Sequence, residues 1–491
     1  MPTIDWRRAP LDFRHSIWLL ALLVAWILAA TMSYVSAFNA HPDEIFHARA
    51  ADYHRDHWLP PKFGDPAVRP SYSGYGMSYV HDREIVYLLA GKWSNIFAPV
   101  LGSSDKSYRL FNLTLFAILI AGFAMAKSMR PLFVPLLLSA QVWYIFSYFN
   151  GDAFALAVAF LLAYQVSATD SAFNTALSGA GEWRTVGGVS LFGLALGLLL
   201  LAKENFYIFL PFLVAYVALR ELGLRPALVV TTGAIVALCW YYKVPPAPAP
   251  AFITIGLLIS IGFGADVARA LKDSSFRRRA ILYVTAAMIG LALFAPRIAY
   301  DKLVVESPRN ALSSVTATAE MYAQDAYKPS VLKTRQAYSG MHMREHGISY
   351  TSVLFGHSFL WTSFRSGVGM YGWMKITAPG FLYVLTAALG GLFVLGLLKA
   401  SGVSRDSFVR KQLQVVTVFA VLTVLMSSLH AWSMDFQAQG RYCFPILAMT
   451  GIALTALPKR PSLMMLVAVV GLYAAACYSF LDTGLRYITK T

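Results

Sequence analysis

The chain has 491 residues, 57% of them hydrophobic and only 13% charged, with a mean hydropathy of +0.55. A soluble domain carries roughly 25% charged residues, so the composition excludes an ordinary globular protein and places the chain in the membrane class. The formal charge of +16 does not mark a nucleic-acid binder, because the basic residues fall in short clusters between apolar spans, where membrane topology explains them.

A hydrocarbon core about 30 Å thick needs roughly 20 apolar residues per helix. Such runs predict an all-α polytopic protein of about thirteen transmembrane helices. The spans lie near 16–38, 108–126, 131–149, 151–167, 185–202, 204–219, 226–242, 250–267, 279–297, 376–398, 411–430, 442–457 and 462–481. The first follows Arg7, Arg8 and Arg14 and is too long for a signal-peptide core, so it reads as an uncleaved helix. The prolines at 245–250 read as a stiff turn. Cys239, Cys443 and Cys477 all lie in apolar runs and suggest neither a disulfide framework nor a zinc site.

Orientation follows from Lys and Arg in the short connections. Arg7/Arg8/Arg14, Lys127/Arg130, Arg220/Arg225, Arg269–Arg279, Lys399–Lys411 and Lys459/Arg460 fall on one side. The other side's short connections offer little more than Lys203, Lys243 and Arg441. The N-terminus is therefore expected in the cytoplasm and the C-terminus outside. Span parity puts two long segments, 39–107 and 298–375, outside as well. The first contains an apolar stretch, Glu84–Val100, suited to a helix lying in the interface. The second ends with Trp361, Phe364, Tyr371 and Trp373, as an interfacial aromatic belt would. Long structured loops on one face usually carry function.

The first long segment opens Asn39-Ala-His-Pro-Asp-Glu-Ile-Phe-His47. Pro42 suits a first helical turn, which sets Asp43 and Glu44 near the positive end of the helix dipole. Helix capping is one reading of the pair and chemistry the other. Seven helical residues rise about 10.5 Å, so His47 and His54 cannot share an ion. Asp43 and His47, four apart, could, although structural histidines are the blander reading. Further along come Asn150-Gly-Asp152 and Lys203-Glu-Asn205, in outside hairpins at the hydrocarbon edge. An N-cap role for Asp152 and snorkelling for Lys203 are the structural alternatives. Last comes Gln437-Ala-Gln439-Gly-Arg441-Tyr442-Cys-Phe-Pro445, whose lone arginine opposes the charge bias and can grip a phosphate bidentately. All these features fall on one side of the membrane under a topology drawn from other residues.

The ordered set resembles GT-C glycosyltransferases, membrane enzymes that use polyprenyl-phosphate-linked sugars. It is closest to a bacterial GT-C-like family of largely uncharacterised membrane proteins. The features are His41-Pro-Asp-Glu-x-x-His47, Arg109-Leu-Phe-Asn112, Asn150-Gly-Asp152, Lys203, Gly369-Met-Tyr-Gly-Trp373 and Gln439-Gly-Arg-Tyr-x-x-Pro445. The resemblance implies one GT-C-like domain over 1–491 in the bacterial inner membrane and an inverting sugar transfer at its periplasmic face. The donor would be a polyprenyl-phosphate sugar and the acceptor a hydroxyl of a lipid or glycan. Asp43 looks like the family's catalytic acidic residue and would be the general base, with Glu44 positioning the acceptor or helping to hold a metal. Lys203, Arg441, Arg109 and Arg365 would hold the donor phosphate, and His47, Asp152, Gln439 and Tyr442 would contact substrate. A divalent metal such as Mg or Mn, held by Asp43 and His47, is an open alternative to the cations. No acceptor motif is recognisable in 298–375. A transporter or flippase for an anionic or lipid-linked-sugar substrate is the main rival, but most ionisable residues lie at span ends rather than midway. Ligases joining lipid-linked glycans, and a noncatalytic scaffold, fit the Asp-Glu pair less well.

Overall fold

The computed structural model describes residues 16–179, 181–242, 264, 266–305, 311–334, 340–403, 406–457 and 461–490. The expected span at 250–267 and the prolines at 245–250 lie largely or wholly outside these, as do Arg7, Arg8, Arg14, Lys243, Arg405, Lys459 and Arg460. The chain is a helical membrane protein. Among the described residues ten helices are long and apolar enough to cross a membrane, or eleven if one bent pair counts as a span.

The first of these, α1 (Ile17–Val35), shows why. Trp18, Leu22, Ala25, Ala29 and Met32 are buried at alternating steps of four and three, one stripe of a helix facing its neighbours. Leu20, Val24 and Ile27, on the other side, are exposed, as lipid-facing residues are in a polytopic protein. Three amphipathic or membrane helices follow: α2 (Glu44–Asp56), α3 (Val86–Leu101) and α4 (Ser104–Met125). The apolar stretch expected at 84–100 is α3, which buries Val86, Tyr87, Ala90, Gly91, Ser94 and Ala98 while Ile96 and Val100 are exposed.

The span expected at 131–149 is broken. Pro131 and Pro135 cannot donate to a helical ladder, and 127–137 winds as a 3-10 helix before Ser139 caps α5 (Ala140–Ser147). The two pieces meet at 84°. The segment still returns the chain to the end where α4 begins, because the Asn112 amide donates to the carbonyl of Tyr148 at 2.7 Å. The central helix α6 (Gly151–Ser167) is buried along almost its whole length. A short α7 (Ala172–Leu177) leads into α8 (Glu182–Leu200), α9 (Phe209–Leu222) and α10 (Leu224–Tyr241).

Beyond the undescribed stretch come α11 (Ser274–Tyr300), α12 (Ala311–Tyr322), α13 (Phe359–Gly369), α14 (Gly380–Val403), α15 (Ser407–Ser433), α16 (Pro445–Thr455) and α17 (Leu463–Tyr478). The span expected at 442–457 is shorter than predicted. Its α-helical part has 11 residues and is preceded by a 3-10 turn, Gly440–Cys443. A two-residue antiparallel pair, Met370–Tyr371 with Ile376–Thr377, follows α13.

The bundle has two chemically distinct ends. At one, Arg220 donates to the Val166 carbonyl and the Asn174 side chain, and Arg279 pairs with Glu221 at 2.9 Å. At the other, the two long segments pack on each other. Tyr72 stacks on Tyr322 at 4.4 Å, Gln324 N–H donates to the Gly74 carbonyl, and Arg297 donates to the Asp82 carbonyl at 2.6 Å. Phe436 N–H reaches the Gly340 carbonyl, and the Trp373 indole reaches that of Asn39. The described parts of the segments 39–107 and 298–375 thus pack together as a roof at this end of the helices.

Candidate functional site

Under that roof Arg441 is the hub. The turn that carries it is pinned by Gly440, whose N–H donates to Ser366 Oγ at 2.6 Å. A Cβ on Gly440 would lie 2.4 Å from the Gly367 Cα, so only glycine lets the turn lie against α13. Pro445 then starts α16 at the position where a missing N–H costs nothing. Arg441 is buried, 9% exposed. Its Nη1 donates to the Tyr148 hydroxyl at 3.0 Å, its Nη2 is 3.8 Å from Asp43 Oδ2, and its Nε is 3.6 Å from Asp152 Oδ2. The last two distances are too long for hydrogen bonds, and Nε has no hydrogen-bond partner. Among the described residues Tyr148 is the one acceptor that Arg441 reaches. A guanidinium has five N–H donors, so most of this one's capacity is unspent.

Lys203 sits in the turn between α8 and the 3-10 segment Glu204–Phe206. Its ammonium donates to Asp152 Oδ2 at 3.0 Å and lies 5.7 Å from the Tyr442 ring centre. Burial pushes Lys203 down, but Asp152, Tyr442 and Glu84 together outweigh it and hold its pKa above the ordinary lysine range. Asp152 is fully buried and its Oδ1 has no partner. It does not cap α6, because Asn150 does so by accepting from the Ala153 N–H. The snorkelling alternative for Lys203 is likewise displaced by a buried ion pair.

Asp43 stands on the open side of this net. It is the N-cap residue of α2 with φ +59°, and its side chain makes no capping hydrogen bond. The helix therefore starts at Glu44, one residue beyond the acidic residue expected inside its first turn. An aspartate in the left-handed region is uncommon and costs of order 1 kcal/mol. The carboxylate is 30% exposed, by far the most open acid of the cluster. Behind it, His41 accepts or donates to Ser36 Oγ and the Tyr144 hydroxyl and stacks on Tyr148 at 4.7 Å. His41 thus fixes both the entry to Asp43 and the tyrosine that holds Arg441.

Glu44 and Arg109 lie beside this cluster and belong to the frame. Arg109 donates from Nε and Nη2 to the two Glu44 oxygens at 2.6 and 2.8 Å. Its remaining donors go to the carbonyls of Ser33, Ser36 and Ala37, the end of α1. All five N–H groups are used, which leaves none for a phosphate. Glu44 is 1% exposed and also accepts from the Asn39 N–H.

His47 is fully buried, stacked on Tyr79 at 4.2 Å. Its Nδ1 shares a 2.8 Å hydrogen bond with the Tyr87 hydroxyl, and its Nε2 has no partner. Burial, then the charges of Lys203 and Arg441, hold its pKa well below the usual histidine range, so the neutral ring is favoured. Tyr87 in turn donates to Glu84 Oε2 at 3.3 Å. If Tyr87 donates to Glu84, His47 must be the donor in its own bond to Tyr87. Its Nε2 is then a lone pair.

Two expected site residues, Arg365 for the donor phosphate and Gln439 for substrate, are not drawn into the cluster. Arg365, on α13, lies over the Tyr383 ring at 5.1 Å. Gln439 contributes its backbone to the turn before Arg441, and the side chain that serves the cluster is Gln437, which accepts from the Tyr442 hydroxyl. Glu84, Tyr148 and Gln437 are the residues that sequence reasoning missed. Tyr148 carries no signal in its own neighbourhood. Glu84 does, as an acid beside Asp82 just before an apolar helix.

The donor set does not fit a metal. Asp43 faces Arg441, and among the described residues no three His, Cys, Asp or Glu side chains are grouped to hold an ion.

Gly151, between the cap Asn150 and Asp152, is where the cluster is most tightly drawn. A Cβ there would lie 2.1 Å from Glu84 Oε2. Gly151→Ala is therefore expected to displace Glu84 and lower stability by about 1–3 kcal/mol, read as a fall in melting temperature. Adding Glu84→Ala should recover most of that fall, and no recovery would sink the assignment of the clash.

No protein-family model matches the chain, and no curated protein matches it. Among solved structures the chain is similar to the crystal structure of ArnT from Cupriavidus metallidurans bound to undecaprenyl phosphate, with 11% identity and a TM-score of 0.42. The likeness covers 89% of this chain and 59% of that one, so the chain spans well under two thirds of that structure's length.

Proposed function

We propose that the chain is a membrane glycosyltransferase of the GT-C type. It moves a sugar from a polyprenyl-phosphate donor to a hydroxyl of a lipid or glycan acceptor, at the extracytoplasmic face of a bacterial inner membrane. The observation that carries this reading is the pairing of opposite tasks within one cluster. Asp43 offers a half-open carboxylate with no capping duty, and 3.8 Å away Arg441 offers unspent donors beside Lys203. A proton acceptor and an anion cradle side by side are what this transfer requires.

In the proposed step the acceptor hydroxyl approaches the anomeric carbon from the side opposite the phosphate. Asp43 takes the hydroxyl proton as the new C–O bond forms. The bond from the anomeric carbon to the phosphate oxygen breaks, and the electron pair leaves with the polyprenyl phosphate. The departing group is already an anion, so the step needs cations where charge develops rather than a strong acid. Lys203 and Arg441 supply them, with Asp152 hydrogen-bonded to Lys203 and its charge 3.6 Å from Arg441 Nε. The basic connections at the other end of the bundle, Arg220, Arg225 and Arg277–Arg279 among them, favour that end for the cytoplasm.

The test is to incubate the purified full-length protein with a panel of polyprenyl-phosphate sugars and lipid or glycan acceptors and to measure released polyprenyl phosphate. Release that depends on the acceptor is expected. Movement of the carrier across liposomes without release would overturn the reading in favour of transport.

A further inference from the structure

One buried carboxyl of the cluster takes no part in that step. Glu84 lies in the loop before α3 and is 8% exposed. Three contacts fix its place. Its Oε2 fills the space that a Cβ on Gly151, the residue before Asp152, would need. The same oxygen accepts from the Tyr87 hydroxyl at 3.3 Å. The next residue, Ile85, donates its N–H to the Leu201 carbonyl at 2.8 Å, two residues before Lys203. Glu84 is thus wedged between the two chain segments whose side chains form the Lys203–Asp152 pair.

We propose that Glu84 is a positioning residue for anion binding at this site, one whose protonation frees the Lys203 charge for the donor phosphodiester. This rests on the anion-cradle reading above. With Glu84 ionised, Lys203 faces two carboxylates, Asp152 and Glu84, and an incoming phosphodiester must compete with both. With Glu84 neutral, Lys203 is balanced by Asp152 alone, and its charge together with that of Arg441 exceeds the buried negative charge. Binding an anion therefore takes up a proton at Glu84, and by linkage the proton strengthens anion binding.

The influences on Glu84 pull in both directions, and burial is the largest of them. Burial raises its pKa, Lys203 lowers it, Asp152 raises it, the Tyr87 hydrogen bond lowers it and Glu204 raises it, with the balance at about 7. Asp82, on the same loop, is itself pushed well above the usual carboxylate range by burial and by Glu84. His47 meets Glu84 only through Tyr87 and is held neutral. Glu84 therefore titrates where small changes in local charge decide its state.

The probe is methyl decaprenyl phosphate, a phosphodiester that does not itself titrate near neutrality. Its binding to the full-length protein in nanodiscs is measured from about pH 5.5 to 8.5, a window that brackets the Glu84 titration. The native protein is expected to lose affinity as pH rises through about 7, by at most about tenfold per pH unit for one proton. Glu84→Gln should bind with no such slope, at the native low-pH affinity. Tyr87→Phe, which removes a hydrogen bond favouring the ionised form, should move the native midpoint to higher pH. A flat native profile, or a Glu84→Gln profile with the native slope, overturns the role of Glu84 alone. No binding of the probe by the folded native protein at any pH overturns the anion cradle as well. Because the readout is binding, it is independent of whether sugar transfer is observed.

Discussion

Asp43→Asn is expected to lower turnover by about 10²–10⁴-fold while leaving the protein folded. The substitution keeps shape and removes the ability to accept a proton. The fold does not depend on the lost charge, because the side chain caps no helix and is 30% exposed. Its partner, the Arg441 guanidinium, keeps its hydrogen bond to Tyr148 and its proximity to Asp152. Donor affinity should accordingly change little, or rise slightly, since one competing carboxylate is gone. The comparison is a single-turnover measurement of polyprenyl phosphate release, with melting temperature and probe binding measured on the same preparations. Equal release by the variant and the native protein would remove Asp43 from the chemistry. A collapse in melting temperature would instead mean that the acid serves the fold.

Arg109→Ala should act in the opposite manner, on stability rather than on turnover per folded molecule. Removing one partner from a buried, fully hydrogen-bonded ion pair costs about 3–5 kcal/mol, because the other charge is left without compensation. Here the loss strands Glu44, 1% exposed, and the carbonyls of Ser33, Ser36 and Ala37 at the end of α1. Glu44→Gln keeps one acceptor and should cost less. The expected result is low yield and a large fall in melting temperature for Arg109→Ala, with donor affinity of the surviving folded fraction unchanged. A folded Arg109→Ala protein that has lost only donor binding would restore the phosphate role expected from the sequence.

The contrast between these two arginines marks the limit of what the sequence makes legible. Arg109 and Arg441 both precede helix or loop positions at the same end of the bundle, and residue type and side treat them alike. What separates them is how many acceptors the fold aims at each, five for Arg109 and one hydrogen-bonded tyrosine for Arg441. The helices themselves are well marked, since hydropathy alone sets their cores. α1 covers 17–35 within the expected 16–38, and α6 covers 151–167 as expected. The errors fall where local chemistry overrides hydropathy. Pro131 and Pro135 break one expected span, and the turn that presents Arg441 shortens another. The convergence of Asp43, Asp152, Lys203 and Arg441 was foreseeable in side but not in pairing. The Asp152–Lys203 contact spans 51 residues, and no local pattern encodes it.

The shortness of α16 has a consequence for how a substrate arrives. Its 11 residues rise about 16 Å, while the 17 of α6 rise about 25 Å, against a bilayer interior about 30 Å thick. Both begin at the cluster, so α16, which starts just after Arg441, is too short to cross a bilayer interior from there by itself. On the proposed function, a carrier confined to one leaflet would meet Arg441 by sliding sideways between helices, beside a helix that ends short of a full crossing.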